Sequence, residues 1–336
     1  NSLALNEANC IKIADNGGIA TVLRALHKSV SAAPTLSKNG VTEPALAQVI
    51  IQCLKLISRF AINDRFKRAL AEGNGVELVD HAVKTCIDVE KISQHGVSCL
   101  GNMAFNFPEG VARMVKSGVI KSLEAVLQKW TENVTVCEVT LVTMSNIMFR
   151  NDPVKKTLGL TCGDEVVSIL NSLVSETRVV IAAMRAMGNL GSLESNVEWM
   201  LENGAVKNIV AAMEHPANKD KHELIQTAID VIGNLASVGG EDDEDNDEDN
   251  EEAERQHEAK LLHIHQMIMQ QNAVHGIIGA MKGPCAGDSA VLMSSLETLA
   301  ALSGVESLIM IHMVPHGLLE IVVDVMKQFD WDSGIM

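Results

Sequence analysis

Four asparagines stand in nearly the same small apolar frame: Leu100-Gly101-Asn102-Met103-Ala104, Met144-Ser145-Asn146-Ile147, Met187-Gly188-Asn189-Leu190 and Ile232-Gly233-Asn234-Leu235-Ala236. They are 44, 43 and 45 residues apart. A primary amide carries both a donor and an acceptor, so it suits bonding to the main chain of another segment. That segment is either an extended peptide held from outside or the backbone of a neighbouring repeat, and the residue type alone leaves both open. On a helix, the side chains four and seven positions earlier share the amide's face. This groups Asn102 with Ser98 and His95, and Asn146 with Val142 and Val139. It likewise groups Asn189 with Arg185 and Ala182, and Asn234 with Asp230 and Thr227. Arg59 and Ala301 fill the amide slot in the outer copies.

Other chemistry-bearing groups point less far. Asp243, Asp245, Asp247 and Glu254 fall at positions 1, 3, 5 and 12 of an EF-hand template, but Glu248 stands where that turn needs glycine. The acidic run is read as a solvated loop, with a possible contact to a basic protein surface or to the groove itself. His257, His263 and His265 lack metal-ligand spacing, since residues two apart point to different sides of a helix. Asn133-Val134-Thr135 is a glycosylation sequon that chance alone supplies. The seven cysteines are odd in number and contain no Cys-x-x-Cys pair, which argues for small buried residues over disulfides or zinc. No phosphate-binding glycine loop or spaced catalytic set stands out. The expectation is a protein without catalysis, cofactor or metal.

A glycine opens a new apolar run about 25 to 30 residues before each asparagine: Gly75, Gly118, Gly163 and Gly204, with Gly18 and Gly317 at the ends. A short helical stretch precedes it, and a longer one follows with apolar spacings of three and four, such as Leu123, Val126 and Leu127. Each unit reads as a short helix, a glycine turn, a second helix, a loop and a third helix bearing the asparagine. Glycine suits the reversal because it has no Cβ to clash at positive φ. Repeats of this length cannot bury their apolar faces alone and must stack, which predicts an all-α solenoid over residues 1–336 as one domain. Two segments break the period: a polar loop at 28–43 and an acidic insertion at 239–256. Glu241–Glu252 holds ten carboxylates, and without them the formal charge falls from −16 to about −6, so most of the acidity is local. Such a run cannot bury apolar area and is expected to be disordered. A helical pattern returns at Ala253–Gln271, lengthening the first helix of the sixth unit.

A unit reading short helix, Gly-Gly-Ile or Gly-Ala-Val, apolar helix and then Gly-Asn-Leu-Ala resembles the armadillo repeat of catenins and importin-α-like adaptors. Asn16-Gly17-Gly18-Ile19 and Gly233-Asn234-Leu235-Ala236 lie closest to that pattern. The resemblance spans residues 9–326 in about seven units, the outer ones degenerate. It implies a right-handed superhelix whose third helices line a concave groove, with an asparagine ladder that clamps peptide main chain or holds the stack. Importin-α-like grooves carry tryptophan one turn before the asparagine. Here Ser98, Val142, Arg185 and Asp230 stand there, and Trp130, Trp199 and Trp331 lie elsewhere. Without stacked indoles the groove cannot grip lysine stems by cation–π contact, which disfavours nuclear-signal binding. A catenin-like basic groove also lacks support, because Arg185 and Arg59 are the only clear cations in the stripe.

Composition agrees with an intracellular helical scaffold: 336 residues at 47% hydrophobic content, no tyrosine, 3% aromatics and 16 methionines. No uninterrupted apolar run is long enough to span a membrane, the nearest being Leu308–Met326. Asn1 in place of methionine suggests a piece of a longer chain. The expected function is a non-catalytic protein–protein interaction scaffold that binds an extended segment or helix of a protein partner along the groove, without nucleic acid or membrane insertion. The rivals are a structural module of a cytoskeletal, flagellar or myosin-linked assembly, and a transport adaptor. For the former, Leu308, Met310, Met313 and Leu319 would form an end-to-end interface. The expected location is the cytoplasm, in association with the cytoskeleton under the structural-module reading; nuclear shuttling stays compatible.

Overall fold

Amphipathic stripes with spacings of three and four wind nearly the whole chain into helices. The computed structural model describes residues 6–36, 43–238, 251–304 and 309–328. They form two compact units, Asn1–Val154 and Lys155–Met336. A solenoid buries its apolar faces only between neighbouring repeats, so compactness is a local property.

The first unit contains α1 (Glu7–Asp15), α2 (Gly18–Leu36), α3 (Pro44–Ile62), α4 (Asp64–Glu72), α5 (Gly75–Thr85), α6 (Glu90–Ala104), α7 (Pro108–Ser117), α8 (Val119–Lys129) and α9 (Val134–Met148). They form three helix triplets, stacked so that α3 packs on α6 and α6 on α9. The second helices stack in the same way, α2 on α5 and α5 on α8. Leu26, Ile50, Leu54, Ile57, Phe60, Val79, Leu100, Leu123 and Leu141 are fully buried between them. α3 is long and apolar enough to cross a membrane, with mean hydropathy 1.6. Its Ile50, Leu54, Ile57 and Phe60 are nevertheless sealed inside this unit, as in a core helix.

The second unit contains α10 (Asp152–Ser172), whose first turn holds the unit boundary, then α11 (Thr177–Gly191), α12 (Glu194–Glu202), α13 (Ala205–Glu214), α14 (His222–Ser237), α15 (Glu251–Gln270), α16 (Ala273–Lys282) and α17 (Ser289–Leu302). A π turn at Ile309–Met313 and a 3-10 turn at Val314–His316 lead to α18 (Leu318–Gln328). Here α11 packs on α14 and α14 on α17.

Four expectations need correction. The stretch 28–43 is not all loop: α2 continues to Leu36, because Leu26, Val30 and Ala33 extend one buried stripe at helical spacing. Helix α15 begins at Glu251, inside the span expected as an acidic insertion, and residues 239–250 lie outside the described ones. Gly163 makes no turn. The buried series Val154, Leu158, Cys162, Val166 and Leu170 runs through it at intervals of four, fusing the first two helices of the fourth repeat into α10. Gly163 is small for another reason, since a Cβ there would collide with the Trp199 ring. Finally, the left-handed residue that reverses the chain is Gly17, Asn74, Gly118, Gly204, Asn272 or Gly317, with φ between 58° and 84°. Gly18 and Gly75 are instead the first helical residues after that turn. A Cβ on Gly75 would lie 2.7 Å from the Leu70 carbonyl oxygen.

Candidate partner-binding face of the third helices

The third helices are bound to one another by side chains that donate to the carbonyls of the preceding third helix. At the position three before the amide slot, Cys99 Sγ donates to Leu54 O at 2.9 Å, Thr143 Oγ1 to Val97 O at 3.1 Å and Thr298 Oγ1 to Ile229 O at 3.3 Å. The glycine before the asparagine makes room for this group. A Cβ on Gly101 would sit 2.5 Å from Thr143 Oγ1, and one on Gly233 2.6 Å from Thr298 Oγ1. The recurring small residue in the Gly-Asn frame is thus a packing requirement of the next repeat.

The asparagines of the first unit join the same system. Asn102 Nδ2 donates to Ser58 Oγ at 2.9 Å and to Ser58 O at 3.2 Å. Asn146 Nδ2 donates to Gly101 O at 3.2 Å. Their amide nitrogens therefore tie each third helix to the one before it. Both residues are half-buried, so the stacking role is real, and only the carbonyl end of the amide is left for a partner. In the second unit Asn189 is half-buried and Asn234 is exposed.

The rest of the stripe lies as helical spacing requires, with one exception. His95 and Ser98 on α6 and Val139 on α9 are half-buried, while Val142, Arg185 and Asp230 are exposed. Ala182 is buried and does not belong to the open face. Arg185 pairs with Glu223 across α11 and α14 at 2.9 Å. The count of cations in the stripe also needs correction. Lys55 lies one turn before Arg59 on α3, and its charge is felt at His95. The His95 pKa is pushed below its ordinary value chiefly by burial, then by Lys55 and by Lys91. Lys55 and Arg59 thus add two cations to the α3 part of the stripe, although the chain as a whole carries −16. The apolar Val139 and Val142 of α9 follow beside it.

Several participants escaped sequence reasoning. Lys67 is 2% exposed, with Nζ 2.6 Å from both Asp64 Oδ1 and the Phe105 carbonyl oxygen, and it lies 5.6 Å from the Phe105 ring centre. Asn218, fully buried, donates to Val174 O at 2.7 Å and Ala212 O at 3.0 Å and accepts from Thr177. Trp130 Nε1 makes the corresponding bond to Ile87 O at 3.1 Å. Their loops carry no shared motif, so only the backbone geometry reveals the correspondence.

The end interface is only partly retained. Met313 is fully buried and cannot form part of an exposed patch, because the turn at Ile309–Met313 folds it inward. Leu319 is exposed, together with Ile311 and Val323. Leu308 and the side chain of Met310 lie outside the described residues, as do Asp243, Asp245, Asp247 and the Glu254 side chain. His263 is exposed while His265 is buried, its Nε2 2.9 Å from Ala236 O. Every cysteine is buried and none is joined in a disulfide. Burial raises the Cys137 thiol to about 11 and Cys99 further, which disfavours the thiolate form of both. Asn133 of the sequon caps α9, accepting from Val136 N at 3.0 Å.

The family described as GAC ARM domain matches residues 36–251. No curated protein matches the sequence. Among solved structures, a designed armadillo repeat protein in complex with the peptide (KR)4 is similar at TM-score 0.62 and 17% identity, covering 83% of this chain and 99% of that one. An engineered protein is similar at TM-score 0.62 and 16% identity, covering 82% and 96%. A β-catenin structure, from work on a phosphorylation switch in its interaction with cadherin, is similar at TM-score 0.52 and 14% identity, covering 91% of this chain and 63% of that one. Identities this low speak for the fold alone.

Proposed function

The chain belongs to the GAC ARM domain family of armadillo repeat proteins, and from that premise we propose a non-catalytic scaffold that holds a protein partner on the open face of its third helices. One observation carries the reading. The side chains four positions before the amide slot stay accessible on the third helices, with Val142, Arg185 and Asp230 exposed and Ser98 half-buried, although the same helices bury their opposite sides. Within the first unit, the accessible amide, hydroxyl, cation and valine side chains on α3, α6 and α9 match what an extended segment or helix needs along its length. Recognition would be an equilibrium event in which polar groups fix register and valines supply burial. A cytoplasmic location, in association with the cytoskeleton, fits this role.

The test avoids the amide nitrogens, which hold the stack. Val142→Arg and Asp230→Lys alter exposed positions only. Crosslinking pull-down from native extract is expected to lose a specific protein with one of these variants while thermal unfolding stays unchanged. Retention of every captured protein by both variants would defeat the reading. A second reading, a structural module in a larger assembly, is favoured by exposed Ile311, Leu319 and Val323 in the last unit. It predicts self-association in light scattering that Leu319→Glu abolishes.

A further inference from the structure

Three of the large apolar residues exposed in the first unit recur at one place in the repeat, while Val49, Val115 and Val142 lie elsewhere. Ile62 is 70% exposed, Phe105 55% and Phe149 59%. Each stands three residues after an amide slot, at Arg59, Asn102 and Asn146, where a third helix ends. The equivalent residues of the second unit are Ser192, Ser237 and Gly304. A ladder of three large apolar side chains in successive repeats of one unit, replaced by small residues in the other, is more than the ordinary share of surface hydrophobes.

The backbone holds two of these rungs in place. Asn106 and Arg150, each directly after a phenylalanine, adopt left-handed φ of 52°. For arginine this conformation is costly, and such strain collects where a surface is shaped for a purpose. Cations sit on the same rungs. Lys67 lies against the Phe105 ring, and the Arg150 guanidinium lies 5.2 Å from the Phe149 ring centre. At the first rung, Ile62 and Arg59 line a cavity of about 330 Å³ together with Cys10, Ile11, Phe66 and Glu7. Lys55 stands one turn behind Arg59. Nearby carboxylates are Glu7 in the cavity, Asp64 on Lys67, and Glu109, which lies 3.8 Å from Arg68.

We propose that the ladder Ile62–Phe105–Phe149 docks an acidic amphipathic helix of a partner protein, its apolar side chains seated one per rung and its carboxylates turned to Lys55, Arg59 and Arg150. The pitch selects a helix. Packed neighbouring helices lie about 8–10 Å apart, and seven residues of an α-helix rise about 10.5 Å with the side chain returning to the same face. An extended strand repeats a face about every 6.7 Å and misses alternate rungs. The inference rests on the scaffold reading above and assigns its partner a chemical class.

The experiment is selection of phage-displayed random peptides of about 20 residues on the full chain, followed by affinity measurement on the recovered peptides. Acidic sequences with apolar residues seven apart are expected, binding at least about tenfold more weakly to Phe149→Ser and to Ile62→Ser, the loss of one hot-spot side chain. Phe105→Ser is left out of the decisive pair, because Lys67 leans on that residue. Recovered peptides that are basic, that space their apolar residues by two or three, or that bind both variants undiminished would overturn the proposal, as would a selection without enrichment. Val142→Arg separates the two levels. If it releases the captured protein while the ladder variants keep every peptide bound, the scaffold reading stands and the helix assignment falls.

Discussion

A single methyl group tests how the third helices interlock. In an open helix, Gly→Ala would stabilise by about 1 kcal/mol. At Gly101 the added Cβ would meet Thr143 Oγ1 at 2.5 Å, and that hydroxyl is engaged with Val97 O. Steric cost should outweigh propensity, so Gly101→Ala is expected to destabilise by about 1–3 kcal/mol in urea unfolding. Thr143→Ala removes the opposing oxygen, so the double variant should be less destabilised than the sum of the singles. Strict additivity would refute the interlock. Lys67 gives a second check: Lys67→Ala leaves the Phe105 carbonyl without its buried donor and should cost about 1–3 kcal/mol. The periodic Asn frame was legible because the next repeat demands a small neighbour there. The part played by Lys67 was not, since a charged residue inside a short helix carries no signal of burial. Phe105 and Phe149 were legible in principle, standing at the same interval as the asparagines, yet an apolar residue at a helix end reads as core until exposure is known.

At the level of elements, the reversal between first and second helices was half readable. Gly17, Gly118, Gly204 and Gly317 take the left-handed position as a glycine turn requires, whereas Asn74 and Asn272 do the same work with a side chain. Asparagine tolerates this region better than other non-glycine residues, but a sequence scan for glycine passes over it. Gly118 has open space around a built Cβ, so substitution there isolates backbone cost from packing. Gly118→Ala should destabilise by about 1–2 kcal/mol, and Gly118→Asn by clearly less, read from chemical denaturation. Equal losses would mean that left-handed backbone strain does not set the cost of the turn. The α14–α17 pair supplies a pH-dependent case. Asp288 caps α17 through Ala290 N and Val291 N and lies 2.6 Å from His222 Nδ1 at the head of α14. Its carboxyl is held below the ordinary 3.8, first by the His222 hydrogen bond and then by the Val291 amide. A depressed carboxylate contributes stability above its unfolded pKa and loses it as pH falls through the folded value. Asp288→Ala should therefore lower the melting temperature at pH 6, and the difference should shrink steadily as acid protonates the carboxyl. A difference that stays constant with falling pH would show that the cap acts by shape rather than charge.

Across the whole chain, stability is assembled from neighbour contacts. Within the first unit, α3, α6 and α9 form one run and α2, α5 and α8 another, enclosing aliphatic side chains that are fully buried. This unit holds complete triplets, hydrogen-bonded from repeat to repeat through Cys99, Asn102, Thr143 and Asn146. Three stacked repeats meet the usual minimum for a solenoid to fold. Residues 1–154 made alone are therefore expected to be as helical per residue as the full chain and to unfold cooperatively, with a urea slope of about 1–3 kcal/mol/M. Circular dichroism and urea titration provide both readouts. Leu54→Ala in that fragment opens a cavity at the centre of the α3–α6 contact and should remove about 2–5 kcal/mol. A fragment that is helical but melts without a sigmoidal transition, or that ignores Leu54→Ala, would show that its repeats do not form a core of their own. The nearest-neighbour account would then fail for this chain, however regular its period.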